Sequence, residues 1–179
     1  MITFLVPTIG RASLAKTLSS IECWAGDEIL VVGNVQPQQH LLDGAMFNFV
    51  PCPAGGDWGH SERNFAMPLA RGKYIAHIDD DDTYAPGTRR LMAEAIEATP
   101  ERPVLFRMRY PNGITLWSER RIFCGNVGTP MMLMPNVPEK FGSWGSFVGG
   151  DCAFLESSGW SAEEYVWRPE VIALLGHNT

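Results

Sequence analysis

Residues 74–87 read YIAHIDDDDTYAPG, a short apolar run that stops on Asp79, Asp80, Asp81 and Asp82. Four adjacent carboxylates repel one another and cannot be buried unpaired, so the run calls for positive charge. A carboxylate at a strand end and another two residues on can point into one crevice, where Mg2+ or Mn2+ accepts both. Held by one or two carboxylates, such a cation keeps positions open for a diphosphate and neutralises its charge as a leaving group departs. The competing reading is a solvated acidic loop. A calcium loop fits less well: counting from Asp79, its sixth position is Tyr84 rather than glycine and its twelfth Arg90 rather than glutamate.

Strands and helices must bring other groups to that run. ITFLVP (2–7) and EILVVG (28–33) are short β-rich runs, and between them Leu14, Leu18 and Ile21 recur at helical spacing. Further strands are expected at 47–51 and 73–78, with a helix over 61–70 that Pro68 shortens or kinks, and a helix over 88–99. This alternation predicts an α/β fold with a mainly parallel sheet, right-handed crossovers and helices on both faces. Ligands of such sheets sit beyond the carboxyl ends of the strands. Pro7, Thr8 and Arg11, Gly33 and Asn34, and Asp79 to Asp82 should therefore share one edge. Later, 104–111 and 114–119 flank Asn112-Gly113, a hairpin signal. A strand is expected at 129–135, a helix start at 149–159 with Asp151 near its N-terminus, and extended chain at 164–175.

The chain has 179 residues, the size of one domain, with 45% hydrophobic and 19% charged residues. No apolar run approaches the ~20 residues needed to span a bilayer. The N-terminus lacks a basic lead-in and a small-residue cleavage site, so it reads as a strand and the expected compartment is the cytoplasm. A formal charge of -6 argues against a dedicated nucleic-acid surface. Cys23, Cys52, Cys124 and Cys152 are dispersed, with no CxxC pair, and are expected to be reduced and mostly buried.

Taken together, the chain resembles the GT-A glycosyltransferases, in particular the family 2-like group with inverting members. ITFLVPTIGR is similar to that family's first strand and nucleotide loop, which implies that Thr8 and Arg11 meet the base and diphosphate. SERNFAMPLARGKYIAHIDDDD, residues 61–82, follows the family's Arg-Asn pair, short helix, glycine, strand and Asp-x-Asp. The resemblance places Arg63 along a UDP- or GDP-sugar donor, Asp79 and Asp81 on Mn2+ or Mg2+, and Asp80 on donor hydroxyls. VGGDCAF resembles the acidic motif that opens a late helix, which makes Asp151 the catalytic base. The terminal LLGHN resembles the metal-completing histidine, which makes His177 a ligand candidate. Asn34 stands where the family has an acidic base reader, and Gly150 where it has Glu. Trp58 and His60, just before the strongest match, are candidate substrate contacts.

The resemblance implies a donor half over about 1–100, an acceptor half over about 101–179, and transfer of a sugar with inversion to an acceptor that the sequence does not identify. Asp151 has a second reading as a helix cap, and His177 as a chain end. His77 is expected to pack beneath the site. Trp144 and Trp160 are expected in core or rim packing. Two rivals stay open: a nucleotidyltransferase, for which PTIGRASLAK is weakly suited, and a non-catalytic nucleotide- or sugar-binding module.

Overall fold

The computed structural model describes residues 1–37, 46–53 and 55–176. Short apolar runs, buried almost throughout in β1, β2 and β4, build one half of the sheet: β1 (Ile2–Thr8), β2 (Glu28–Gly33), β3 (Asn48–Pro51) and β4 (Tyr74–His77), all parallel in the order β3-β2-β1-β4. The sheet continues through β8 (Met132–Pro135), antiparallel to both its neighbours, to β6 (Val104–Arg109), β9 (Val166–Leu174) and β5 (Thr83–Tyr84). A short β7 (Thr115–Leu116) pairs with β6 as the expected hairpin, closed by the Gly113 N–H donating to the Tyr110 carbonyl at 2.9 Å.

Period-two alternation along β1 sends Ile2, Phe4 and Val6 to one face and Leu5 to the other. The first face packs on α1 (Leu14–Ser19) and α3 (Thr88–Ala98) through Leu14, Leu18, Met92 and Ala95. The second packs on α2 (His60–Ala66) and α4 (Gly150–Glu156) through Ala66, Phe154 and Leu155. Helices therefore cover both faces, as the alternation predicted. Full burial of side chains such as Phe4 and Phe154 contributes about 1.5–3 kcal/mol each.

Pro68 acts as expected: α2 stops at Ala66 and the chain tightens into a 3-10 turn, Met67–Leu69. The strand expected over 129–135 begins only at Met132, because Thr129–Met131 forms a 3-10 turn with Pro130 in it. The cysteine expectation is corrected. Cys124 and Cys152 form a disulfide with Cα atoms 5.2 Å apart, and Cys23 is exposed, while Cys52 is buried. Folding sets the loop that carries Cys124 against the first turn of α4. Among the described residues no helix is long and apolar enough to cross a membrane.

Candidate active site

Beyond the carboxyl ends of β1 and β4 lies a cavity of about 780 Å3, a size suited to a small ligand. Pro7, Thr8, Arg11, Trp58, His60, Asp79, Asp80, Asp81 and Asp151 line it, so nine of the expected site residues meet in one place. Asn34 is exposed and not among the lining residues. Arg63 lies beneath the cavity, 0% exposed. His177 lies outside the described residues.

The loop after β1 wraps one carboxylate. Asp80 Oδ2 accepts the Thr8 hydroxyl at 2.7 Å and the Ile9 N–H at 3.3 Å, and Asp80 Oδ1 accepts Arg11 Nη1 at 2.9 Å. Both Asp80 oxygens thus hold the loop in shape. The same Arg11 nitrogen donates to Asp81 Oδ2 at 2.8 Å. Arg63 reaches up to Asp79 through Nη2, and its Nη1 donates to the Trp58 carbonyl at 2.9 Å. One buried guanidinium therefore fixes both an acidic residue and the exposed Trp58, whose φ of 58° puts a bulky residue in the left-handed region.

The acidic turn has its own supports. Thr17, buried on α1, donates its hydroxyl to the Asp82 carbonyl at 2.7 Å. Asp82 Oδ1 accepts the Gly176 N–H at 2.9 Å. Residue 176 must be glycine because a Cβ there would lie 2.0 Å from the Asp81 carbonyl oxygen. Burial, and after it Asp79, pushes Asp82 up to about 8 against the opposing Gly176 N–H; Asp81 adds to the rise and Arg63 reduces it. Asp82 then carries a proton at neutral pH, which removes one charge from the crowded run.

Asp151, which lines the same cavity, sits in the first turn of α4. Burial raises its carboxyl above the usual range, opposed by the Thr129 hydroxyl that donates to Oδ1 and by Arg63, and reinforced by Asp79. A carboxylate so placed is a stronger base than one in water. Asp57 braces the first turn of α2, accepting the Ser61 N–H at 3.1 Å and the Ser61 hydroxyl at 2.6 Å. His60 donates from Nδ1 to the Gly145 carbonyl at 2.6 Å, and Asn64 exchanges two bonds with the Trp144 backbone, tying α2 to the loop before α4. Beneath them His77 is wholly buried edge-on to Trp144 and Phe154, and burial, then Arg63, lowers it to about 3, so it is neutral. Trp144 is core, stacked on Phe154; Trp160 lies under Lys140.

Thr129 and Thr17 escaped the sequence reading, and Asn64 and Gly176 entered it only as parts of the Arg-Asn pair and of LLGHN. The partners of these four residues are 22 to 94 residues away, and only Asn64 and Gly176 carried any local signal. Among the described residues no group of three His, Cys, Asp or Glu is set to hold a metal ion. Asp79 and Asp81, with side chains 30% and 28% exposed at the cavity wall, nevertheless supply the hard oxygens that suit Mg2+ or Mn2+, ions usually held by one or two carboxylates plus phosphate.

Residues 38–156 match the pattern of Glycosyl transferase family 2. No curated protein matches the chain in sequence. Among solved structures the chain is similar to S. aureus TarS (TM-score 0.70, 14% identity, 98% of this chain and 36% of that one). It is also similar to TarS 1-349 in complex with UDP-GlcNAc (0.68, 15%, 99% and 59%). A third is the mannosyltransferase PcManGT from Pyrobaculum calidifontis in complex with GDP-Man and Mn2+ (0.69, 16%, 98% and 56%). The chain thus spans between about a third and three-fifths of these proteins, and at such identities the likeness is one of fold.

Proposed function

The chain belongs to glycosyl transferase family 2, and from that membership we propose that it moves a sugar from a nucleoside-diphosphate donor to an acceptor hydroxyl, inverting the anomeric carbon. The observation that supports this reading is a single cavity lined by Asp79, Asp80, Asp81 and Asp151 together. The chain acts as one domain, its donor side drawn from about residues 1–100 and its acceptor side from the remainder. The proposed donor is a UDP- or GDP-sugar, since proteins of the same fold hold UDP-GlcNAc and GDP-Man.

A sugar hydroxyl is a poor nucleophile until its proton is removed as it attacks. Asp151, raised by burial and oriented by Thr129, takes that proton while the acceptor oxygen bonds to the anomeric carbon. The bond from that carbon to the diphosphate oxygen breaks on the opposite face, its electron pair leaving with the nucleoside diphosphate. Arg11, whose side chain is 47% exposed, meets the diphosphate with its remaining N–H groups. Arg63 acts beneath the donor by holding Asp79 and the Trp58 backbone, and Trp58 and His60 border the substrates. Asp79 and Asp81 would hold Mn2+ or Mg2+, which when bound would supply Lewis-acid stabilisation of the departing diphosphate.

A thermal-shift panel of nucleoside diphosphates and sugar nucleotides with and without Mn2+ tests the reading. Metal-dependent stabilisation by one base supports it and names the donor class; no shift with any nucleotide contradicts it. The cytoplasmic setting is part of the proposal. The Cys124–Cys152 disulfide is of a kind more usual in oxidising compartments, so the setting is tested by cell fractionation, and recovery of the chain outside the cytoplasm would contradict it.

A further inference from the structure

Two charged side chains, Glu62 and Arg63, leave consecutive positions of α2, about 100° apart around a helix axis. Arg63 goes to Asp79 and to the Trp58 carbonyl. Glu62 goes elsewhere. It is 3% exposed and lines the same cavity, and its Oε1 accepts the Gly55 N–H at 3.2 Å. Its other oxygen, Oε2, is buried and has no hydrogen-bond partner among the described residues. A buried carboxylate oxygen without a donor is costly, and on a residue that lines a cavity it marks a place for a ligand's N–H.

The packing around Glu62 leaves it little freedom to turn away. A Cβ on Gly55 would stand 2.5 Å from Ser61 Cβ and Oγ, and one on Gly59 would stand 2.8 Å from the Pro7 ring. The start of α2 is therefore wedged between the end of β1 and the chain that leaves β3. Asp57 fixes the same turn through Ser61 and also accepts the Ser146 hydroxyl at 3.0 Å. Cys52, which follows β3, donates its N–H to the Gly33 carbonyl at the end of β2 at 2.9 Å, and burial and then Glu62 hold its thiol above the usual range. Glu62 thus belongs to the β2 and β3 end of the cavity, whereas Asp79 to Asp81 follow β4 beyond β1. Neighbouring strands lie about 4.8 Å apart, so about 10 Å separates β2 from β4, an interval that accommodates a ribose between a diphosphate and its base.

We propose that Glu62 reads the base of the donor, its Oε2 accepting a ring N–H, so that the site takes uracil or guanine over cytosine or adenine. The inference rests on the transferase reading, in which the cavity holds a nucleoside diphosphate. Uracil N3 and guanine N1 carry a hydrogen. Cytosine N3 and adenine N1 carry a lone pair, which would face the carboxylate with no proton between them. A hydrogen bond to a charged acceptor is among the strong ones, and a site built to make one rejects ligands that lack the donor.

Calorimetry in the presence of Mn2+ tests this with UDP, GDP, CDP and ADP on the full chain and on Glu62→Gln. Wild type should bind UDP or GDP about tenfold or more tightly than CDP and ADP, and the tighter of the two names the base. Glu62→Gln keeps an oxygen for the Gly55 N–H and puts an amide N–H where Oε2 stood, so its preference should shift about tenfold or more toward CDP or ADP. A purely structural role would lower the melting temperature and leave the ranking of bases unmoved. A second arm leaves the protein intact: 3-methyluridine or 1-methylguanosine diphosphate, which lacks the ring N–H, should bind wild type about tenfold or more weakly than its parent. An unchanged ranking in Glu62→Gln, a methylated base bound as tightly as its parent, or a loss seen only with 2′-deoxy nucleotides overturns the proposal and leaves the transferase reading standing. Binding of no nucleotide at all overturns both.

Discussion

Gly150 lies against the imidazole of His60: a Cβ on Gly150 would stand 2.3 Å from His60 Cε1 and 2.6 Å from its Nδ1. The imidazole is buried and bonded to the Gly145 carbonyl, so it cannot swing aside freely. Gly150→Ala is expected to cost about 1–3 kcal/mol in urea unfolding through overpacking. The same change in a His60→Ala background should cost far less, and equal costs in the two backgrounds would contradict the packing account.

Thr129 donates to Asp151 and opposes the rise that burial imposes on that carboxyl. Removing the hydroxyl by Thr129→Val leaves burial less opposed, so the Asp151 carboxyl rises further. The acid limb of the kcat/KM profile should move to higher pH, because the base must be deprotonated to act. Thr129→Ser should restore the wild-type limb. An unmoved limb in the valine variant would mean that Asp151 is not the titrating base.

Asp27 and Arg89 form an ion pair with side chains 0% and 7% exposed. Burial alone would push Asp27 up, but the bonds from Arg89, the Trp24 N–H and the Ile2 N–H outweigh it and hold the carboxyl below its usual value. A carboxyl lowered on folding stabilises the native state above its unfolded value of about 3.9, and the contribution is lost as pH falls through the folded value. Stability should therefore decline below about pH 4. Asp27→Asn should cost about 3 kcal/mol at neutral pH and flatten that acid decline. A variant as stable as wild type at pH 7 would contradict the pairing.

Arg63 is wholly buried and serves Asp79 and Trp58 together. Arg63→Lys keeps one charge but loses the fork, so it should weaken Mn2+-dependent nucleotide binding by about tenfold while the chain stays folded by circular dichroism. Unchanged binding would place Arg63 outside the donor site's support.

Much of this arrangement was legible because it is local. β1 and β4 announce themselves as apolar runs ended by Pro7-Thr8 and Asp79, and the Asn112-Gly113 pair marks its hairpin. Parallel pairing of those strands carries Thr8, Arg11 and Asp79 to Asp81 to one edge. What stayed hidden depends on distant partners. β5 is two residues long and exists only through its pairing with β9. Thr129 sits in an apolar stretch that reads as strand, and its bond to Asp151 forms only once α4 brings that residue to it. Cys124 and Cys152 are 28 residues apart with no local pattern. Asn34 follows β2 at the same edge of the sheet, yet it is exposed and not among the residues lining the cavity.

The central claim, that Asp151 is the base facing a donor held at Asp79 to Asp81, is tested most directly by donor turnover. Release of nucleoside diphosphate from UDP- and GDP-sugars with Mn2+ would be followed for wild type and Asp151→Asn, alongside nucleotide thermal shifts for both. The account predicts metal-dependent release by wild type and a loss of about a hundredfold or more in the variant, with the nucleotide shift unchanged. Equal turnover by the variant, or pyrophosphate released from a nucleoside triphosphate instead, would contradict it.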